Sequence, residues 1–455
     1  MSRPHLLFVT GKLAEPALRR QVAALAEKVG FEGSVVVLPI TVIALATTSW
    51  IARHLVVSAG VDQIILPGLC AGETDELASV TGLPVRRGPK DLRELPEFFG
   101  GSSGPPPGYG KHDVEILAEI NHAPRLSAEE LLRQARAFRE EGADLIDVGC
   151  DPGTTWAGAG EAVRMLRREG FRVSIDSFNP REVEAAVAAG AELVLSVNST
   201  NRQMAKDWGC EVVVVPDVPA SLEGLDDSVA YLQAAGVPLR IDPVLEPIGF
   251  GFAASLGRYL DVRRRYPEAE MMMGVGNLTE LTDVDSAGIN VLLLGFCQEL
   301  GIRSVLTTAV INWCRSCIRE LALARRLVYY AVTERLPPKR LEPELIMLRD
   351  PKLREFGESA LRELAQRVTD RNVRLFAERG LLHLFNNECF FQGVNPFSLF
   401  AELQKQSPVD AAHAFYLGYE LAKATTALTL GKNYVQDQAL RWGFLTKEEE
   451  GGHGR

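Results

Sequence analysis

Residues 169–201 read EGFRVSIDSFNPREVEAAVAAGAELVLSVNSTN, and this stretch predicts how the centre of the chain folds. Two uncharged runs with β character, residues 173–175 and 193–197, end on Asp176 and Asn198. Between them Pro180 opens a pattern in which apolar and small residues recur at helical spacing. The unit is therefore strand, helix, strand. Its two polar residues follow adjacent strands at their carboxyl ends, where α/β proteins build their sites.

Similar apolar runs recur from residue 114 onward, with helical patterns between most of them. Eight strands that alternate with helices are typical of a (β/α)₈ barrel. We therefore predict an α/β protein with a central TIM barrel. Its strands are expected at residues 116–120, 145–148, 173–175, 193–197, 212–215, 239–241, 271–275 and 304–306.

Composition divides the chain into four predicted segments. Residues 1–99 hold three short apolar runs between helical patterns, which predicts a small parallel α/β domain. Residues 100–111 are rich in Gly and Pro and are interpreted as a linker. Residues 112–335 hold the barrel, which a long helix at 311–335 closes. Residues 336–455 predict a mixed α+β domain, with helices at 358–370 and 409–430, strands at 373–376 and 381–385, and a disordered tail at 451–455.

The bulk composition excludes several classes of protein. With 46% hydrophobic and 24% charged residues the chain is an ordinary globular protein. Its net charge of -10, without a block of Lys or Arg, argues against nucleic acid or an anionic membrane as the main partner. Seven scattered cysteines provide no disulfide framework, and the first apolar run is too short for a signal peptide. We expect a cytoplasmic protein without a membrane span.

Polar residues follow six of the eight predicted barrel strands. Carboxylates and carboxamides dominate this set, and His122 is the one basic residue directly after these strand ends. Paired acceptors and donors of this kind suit a flat heterocycle with alternating N–H and C=O groups. A phosphorylated sugar would instead need basic residues or a glycine-rich helix start. The set comprises Asn121, Asp147 with Asp151, Asp176, Asn198, Asp242 and Asn277.

Several motifs resemble the pterin-binding superfamily, which joins dihydropteroate synthases to corrinoid-dependent methyltetrahydrofolate methyltransferases. They are EINHAP (119–124), GADLIDVG (142–149), VSIDSFNP with Asp176, and LSVNST with Asn198. RIDPVLEPIGFGF (240–252) resembles the synthases, whereas MGVGNLTEL (273–281) is closer to the methyltransferases. Over nearly its full length, the chain resembles dihydropteroate synthase-related proteins of organisms that make tetrahydromethanopterin.

The resemblance implies roles for individual residues. Positions that match Asp176, Asn198 and Asp242 hold the pyrimidine edge of the pterin, and Asp147 is placed in the same binding set. Asn277 matches the methyltransferase asparagine beside the reactive ring nitrogen. Asn121 matches the synthase asparagine near the pyrophosphate and its magnesium, where Asp151 would assist the leaving group. The resemblance thus implies a reduced pterin of the tetrahydromethanopterin type, and a magnesium ion held through pyrophosphate.

The chain also departs from the synthases. The Ser-Arg-Lys segment that follows strand seven in synthases is Gly276-Asn277-Leu278 here, and the eighth strand supplies Thr307 and Thr308 in place of Arg and His. The loop after strand two, DPGTTWAG, contains no arginine. These departures favour pterin binding more than condensation with loss of pyrophosphate.

Three functions therefore stay open. The first is a transferase that condenses a hydroxymethyl-dihydropterin pyrophosphate with an aryl amine, in tetrahydromethanopterin synthesis or one-carbon metabolism. The second is a methyl-tetrahydropterin:corrinoid methyltransferase, and the third is a non-catalytic pterin-binding or carrier subunit. In each case we expect a homo-oligomer such as a dimer.

Other candidate sites are interpreted as structural. Cys314 and Cys317 have CxxC spacing on an amphipathic helix, without a second CxxC, and predict a packed helix face. His413 and Glu420 share a helical face with Lys423 nearby. The polar patches 386–388 and 432–434 either close a barrel mouth or form helix ends and turns.

Overall fold

The structure is a computed structural model that describes residues 3–90, 92–100 and 106–449. Residues 101–105 of the predicted linker and the predicted disordered tail, 451–455, lie outside the described residues. The chain divides into two compact units. The first runs up to His112 and includes Arg326–Leu341, and the second comprises Asp113–Arg325 and the chain from Glu342 onward.

A four-stranded parallel sheet characterises the first unit, in the order β2-β1-β3-β4. The predicted strands are present, and β4 is an additional strand that the sequence analysis missed because its three residues, VRR, include a single apolar one. The strands are β1 (His5–Thr10), β2 (Glu32–Val37), β3 (Gln63–Leu66) and β4 (Val85–Arg87). The helices are α1 (Glu15–Val29), α2 (Thr48–His54), α3 (Thr74–Thr81) and α4 (Leu95–Phe98).

The eight predicted barrel strands are confirmed, and they close into a parallel barrel in which the last strand pairs with the first. The order around the barrel is β5 to β12 in sequence. The strands are β5 (Glu115–Ile120), β6 (Leu145–Gly149), β7 (Val173–Asp176), β8 (Leu193–Val197), β9 (Glu211–Val214), β10 (Leu239–Ile241), β11 (Glu270–Gly274) and β12 (Ser304–Thr307).

Local sequence signals set the helices between these strands. Ser127 and Glu130 form a capping box that starts α5, and Gly142 ends it in the left-handed region at φ 113°. The helix predicted at 311–335 begins later, at Cys317, after a 3₁₀ turn at Asn312–Cys314. The helices are α5 (Ala128–Glu141), α6 (Ala159–Arg168), α7 (Pro180–Ala188), α8 (Arg202–Ala205), α9 (Leu225–Ala234), α10 (Phe252–Arg265), α11 (Gly276–Thr279), α12 (Ser286–Leu300) and α13 (Cys317–Glu334).

The barrel interior changes from charged to apolar to acidic along the strands. Because side chains alternate along a strand, Glu115, Leu117 and Glu119 of β5 share the inner face. At the amino ends, Arg240 and Arg172 both bind Glu115. The middle layer is an apolar cluster that includes Leu117. Acidic residues follow at the carboxyl ends, so the site residues rest on a packed core.

A three-stranded antiparallel sheet and three helices form the C-terminal part of the second unit. Apolar side chains of the sheet, α15 and α16 make one core. Neither β15 nor α15 was predicted; the FFQG run of β15 is too short to stand out. The strands are β13 (Arg374–Glu378), β14 (Leu381–Phe385) and β15 (Phe390–Gly393), and the helices are α14 (Glu358–Arg367), α15 (Pro396–Gln406) and α16 (Ala411–Leu430). Among the described helices, none combines the length and apolar character needed to cross a membrane.

Candidate functional site

The polar residues predicted from the sequence lie at the carboxyl ends of β5 to β12 and in the loops that follow, which we call the barrel mouth. Because the strands are parallel, these ends open on one face. Asp147 is within β6, Asp176 ends β7, and Asp242 directly follows β10. The other members lie just after strands β5, β6, β8 and β11 and are, in that order, Asn121, Asp151, Asn198 and Asn277.

Asp176 is held by the neighbouring strand. The hydroxyl of Ser196 in β8 donates to Asp176 Oδ1 over 2.8 Å. Ser196 has a φ of 64°, where the pairing of β8 with β9 shifts register, and such a bulge re-aims side chains. Burial raises the pKa of Asp176, and the bond from Ser196 opposes this shift. One carboxylate oxygen thus has a donor, and the group as a whole is poorly solvated.

Asp242 accepts hydrogen bonds from its own loop and from α10. Its Oδ1 accepts from the backbone N–H of Val244 over 2.8 Å and from the Tyr259 hydroxyl over 2.5 Å. Burial raises the pKa of Asp242 to about 6, although these donors and the Gly274 N–H lower it. Val244 has a φ of 68°, a strained conformation for a β-branched residue and one that concentrates at functional sites. Tyr259, on α10, is a site residue that the sequence analysis missed.

A space beside Gly274 separates Asp242 from Asn277. A Cβ on Gly274 would lie 3.5 Å from Asn277 Nδ2 and 3.9 Å from Asp242 Oδ2. Asn277 donates this Nδ2 to the carbonyl of Leu245 over 3.0 Å, so its carboxamide oxygen stays available. Glycine therefore leaves room for a ligand atom at the point where the two predicted residues meet.

Asn198 sits in a local turn. Its Oδ1 accepts from the backbone N–H and the hydroxyl of Thr200, over 3.0 and 2.6 Å, and Asn201 Oδ1 accepts from the Asn198 N–H. Because the carboxamide oxygen is occupied, the Nδ2 group is what this side chain offers a ligand. Asn198 would therefore act as a donor among acidic neighbours.

Asp151 is bound by two basic residues from the loop after β5. Arg125 donates Nε and Nη2 to its two oxygens over 2.8 and 3.0 Å, and His122 Nδ1 lies 2.5 Å from Oδ1. The bonds from Arg125 and His122 lower the pKa of Asp151. The loop after β6 contains no arginine of its own, and Arg125 reaches it from the loop after β5.

Glu119 is a second site residue that the sequence analysis missed, although it lies in the EINHAP motif. A Cβ on Gly149 would come within 2.4 Å of Glu119 Oε1, so the carboxylate occupies the space that this glycine leaves. Burial, Asp176 and Glu280 raise the pKa of Glu119 to about 7. Asp147 is fully buried, accepts from the Ser174 hydroxyl, and has its pKa raised well above its usual value by burial, Asp176 and Glu119.

The oxygen ligands available at the mouth do not fit the magnesium ion that the family resemblance implies. Mg²⁺ takes an octahedron of oxygen ligands. Asn121 Oδ1 is buried without a hydrogen-bond partner in the described part of the chain, but both oxygens of Asp151 already accept from Arg125. The described residues contain no group of three or more His, Cys, Asp or Glu arranged for a metal. Asn121 is therefore not assigned as a metal ligand.

The remaining candidates have structural partners. Cys314 and Cys317 are fully buried, one in the 3₁₀ turn and the other at the start of α13. In the C-terminal part, Glu420 is fully buried and accepts from the Tyr434 hydroxyl, with Lys423 Nζ 2.8 Å away. The patch that contains Tyr434 thus packs within its own region.

Comparison with known families agrees with this geometry. Residues 120–219 match the family described as pterin binding enzyme. This match covers β6 to β9 and includes Asn121, Asp176 and Asn198. On either side of this match, residues 4–90 match a family of unknown function, DUF6513, and residues 371–437 match the family PterinBD-DUF4346.

The chain is similar to an uncharacterized protein of Methanocaldococcus jannaschii, MJ0107, with 29% identity over 365 residues, which are 72% of this chain and 69% of the relative. Similar solved structures include a dihydropteroate synthase of Yersinia pestis with a pterine-sulfa conjugate, at 17% identity, 49% of this chain, 95% of that chain and a TM-score of 0.40. Another is the dihydropteroate synthase of Thermus thermophilus in complex with 6HMPPP, at 22% identity. The match covers 49% of this chain and 94% of that chain, with a TM-score of 0.39. At these values the two structures carry no argument about chemistry.

Proposed function

We propose that the barrel mouth binds a reduced pterin of the tetrahydromethanopterin type through Asp176, Asp242 and Asn198. The observation that carries this proposal is the pair of buried carboxylates, Asp176 and Asp242, for which the described residues provide hydroxyl and N–H donors but no ion pair. A pterin presents an amino group and a ring N–H side by side, and a carboxylate grips such an edge through two parallel bonds.

The first reaction proposed is condensation of the dihydropteroate synthase type. The bond from the pterin methylene carbon to the pyrophosphate oxygen breaks, a bond to the aryl amine nitrogen forms, and the amine releases one proton. Arg125 supports this proposal, because its guanidinium brings positive charge to the mouth, where it binds Asp151. The departing pyrophosphate would interact with this guanidinium.

Methyl transfer from a methyl-tetrahydropterin to a corrinoid, held by a partner protein, is the second candidate. The position of Asn277 favours it, because this side chain adjoins Asp242 across the space at Gly274. An asparagine there would hydrogen-bond the ring nitrogen as that atom gains a proton and loses its methyl group.

Calorimetric titration with 6-hydroxymethyl-7,8-dihydropterin tests the binding site. Wild type should bind, and Asp176→Ala should abolish binding because the ring N–H groups lose their acceptor. Asp207→Ala is a matched control, since Asp207 is exposed after α8. Unchanged binding by Asp176→Ala would contradict the site.

Two assays then separate the functions. Release of pyrophosphate from the pterin pyrophosphate and 4-aminobenzoate supports the synthase. Formation of methylcobalamin from a methyl-tetrahydropterin and cob(I)alamin, without pyrophosphate release in the first assay, supports the methyltransferase. Binding without either reaction identifies a non-catalytic pterin-binding subunit.

A further inference from the structure

Three inward-facing acidic residues occupy adjacent strands at the mouth. The register pairs Glu119 of β5 with Asp147 of β6, and Gly149 of β6 with Asp176 of β7. Since Gly149 has no side chain, the Glu119 carboxylate lies over it, toward Asp176. Glu280, after α11, also acts on Glu119. The charged groups that face Glu119 are therefore all acidic.

The same strand provides a contrast. Glu115 precedes Glu119 on the same face of β5. It binds Arg240 over 2.6 Å and also binds Arg172. Among the described residues no Lys, Arg or His forms an ion pair with Glu119 or Asp147. An unpaired buried carboxylate costs several kcal/mol to ionise, so such groups keep a proton instead. At the amino ends of the strands Glu115 is thus ion-paired, whereas at the carboxyl ends Glu119 has no basic partner among the described residues.

Carboxyl oxygens without hydrogen-bond donors indicate where a proton would fit. Asp147 is fully buried, and its Oδ2 has no hydrogen-bond partner in the described part of the chain, while its Oδ1 accepts from Ser174. Glu119 receives no hydrogen bond from the described residues, whereas Asp176 and Asp242 receive theirs from Ser196 and Tyr259. Donors stabilise the ionised form, which favours Asp176 and Asp242 as acceptors. The Glu119–Asp147 pair has one described donor, Ser174, for two carboxyl groups, which favours a proton within the pair.

We propose that the Glu119–Asp147 pair carries a proton at neutral pH, and that Glu119 presents it as a hydrogen-bond donor to an acceptor atom of the bound ring. Asp147 has no exposed surface, whereas Glu119 retains some at the mouth, so Glu119 is the member that reaches a ligand. The inference rests on the proposed function, because a pterin has a ring carbonyl and imine nitrogens beside its N–H groups. A neutral acid would match these acceptors, and the carboxylates would match the donors.

Two substitutions test the donor role. Glu119→Gln keeps an N–H donor of similar shape, and Glu119→Met keeps the volume without one. In calorimetric titration with 6-hydroxymethyl-7,8-dihydropterin at about pH 6, the Gln variant should bind within about threefold of wild type and the Met variant about tenfold more weakly. The ratio of wild-type to Gln affinity should fall about tenfold by about pH 8.5, because ionised Glu119 cannot donate. A Met variant that binds as tightly as wild type overturns the proposal.

Infrared difference spectroscopy tests the proton without any ligand. At about pH 6 the wild-type protein should show a protonated-carboxyl C=O band that Glu119→Gln removes or shifts, and an unchanged band refutes the protonated pair. If this band is present but no folded form of the protein binds the dihydropterin, the proposed function fails while the protonated pair stands. The two proposals therefore fail separately.

Discussion

Replacement of Glu119 by Gln should stabilise the protein at alkaline pH and leave its stability nearly unchanged at acidic pH. In the folded protein the pKa of Glu119 is about 7, against an ordinary value of 4.5. Between these values the folded state holds more protons than the unfolded state, so wild-type stability falls as pH rises. Above about pH 7 the ionised Glu119 should lower the free energy of unfolding by at most roughly 3 kcal/mol, and below about pH 4 it should have almost no effect.

Urea unfolding at about pH 4.5 and about pH 8 measures this difference. With an unfolding slope of about 3 kcal/mol/M, the variant midpoint should rise by as much as roughly 1 M at the higher pH. Glu115→Gln is the matched control on the same strand. Burial would raise the pKa of Glu115, but bonds from Arg240 and Arg172 outweigh it and hold the pKa below its usual value. The ionised Glu115 therefore stabilises the protein at pH values above its usual pKa, and this stabilisation is lost as the pH falls. The Glu115→Gln variant should have a free energy of unfolding about 1–3 kcal/mol lower than wild type at pH 8. A Glu119→Gln variant that is less stable than wild type at pH 8 would refute the reasoning.

Three further predictions concern ligand binding. Gly274→Ala places a methyl group 3.5 Å from Asn277 Nδ2, so the free energy of unfolding should change by less than about 1 kcal/mol. The pterin affinity measured by calorimetry should fall about tenfold, because the methyl group fills the space for a ligand atom. Unchanged affinity would show that no ligand atom enters this space. Tyr259→Phe removes a donor from Asp242, whose pKa should rise above about 6, so the pH midpoint of pterin binding should move upward; a downward shift would contradict the assignment. Asp151→Asn weakens the hold on Arg125, so it should slow pyrophosphate release severalfold without weakening pterin binding. Equal losses in both assays would contradict a role of Asp151 that is separate from pterin binding.

Arg125 illustrates what changes when a loop is placed in the barrel. By its position in the sequence it follows EINHAP, three residues beyond His122 and far from Asp151. In the structure it donates twice to Asp151. The structure thus brings a guanidinium from the loop after β5 to the loop after β6. Substitutions at Arg125 should consequently be interpreted together with Asp151.

The residue pattern by itself determined the alternation of strands and helices and the polar residues at the strand ends. Each barrel strand could be predicted, as could the places of Asp176, Asp242 and Asn277 at or after strand ends, because apolar runs, turn residues and helix caps are local signals. The C-terminal β15 was missed because its run has only four residues. The helix α15 was missed although Asn395 caps it and Pro396 begins it.

Only the tertiary structure decided which side chains meet. Glu119 looks in the sequence like any polar residue of a strand, and Tyr259 like any aromatic residue of a helix. Closure of the barrel places Glu119 over Gly149 beside Asp147, and brings the Tyr259 hydroxyl to Asp242. The physical reason is that the charge state of a carboxylate depends on its burial and on neighbours from other strands, and neither is encoded in local periodicity.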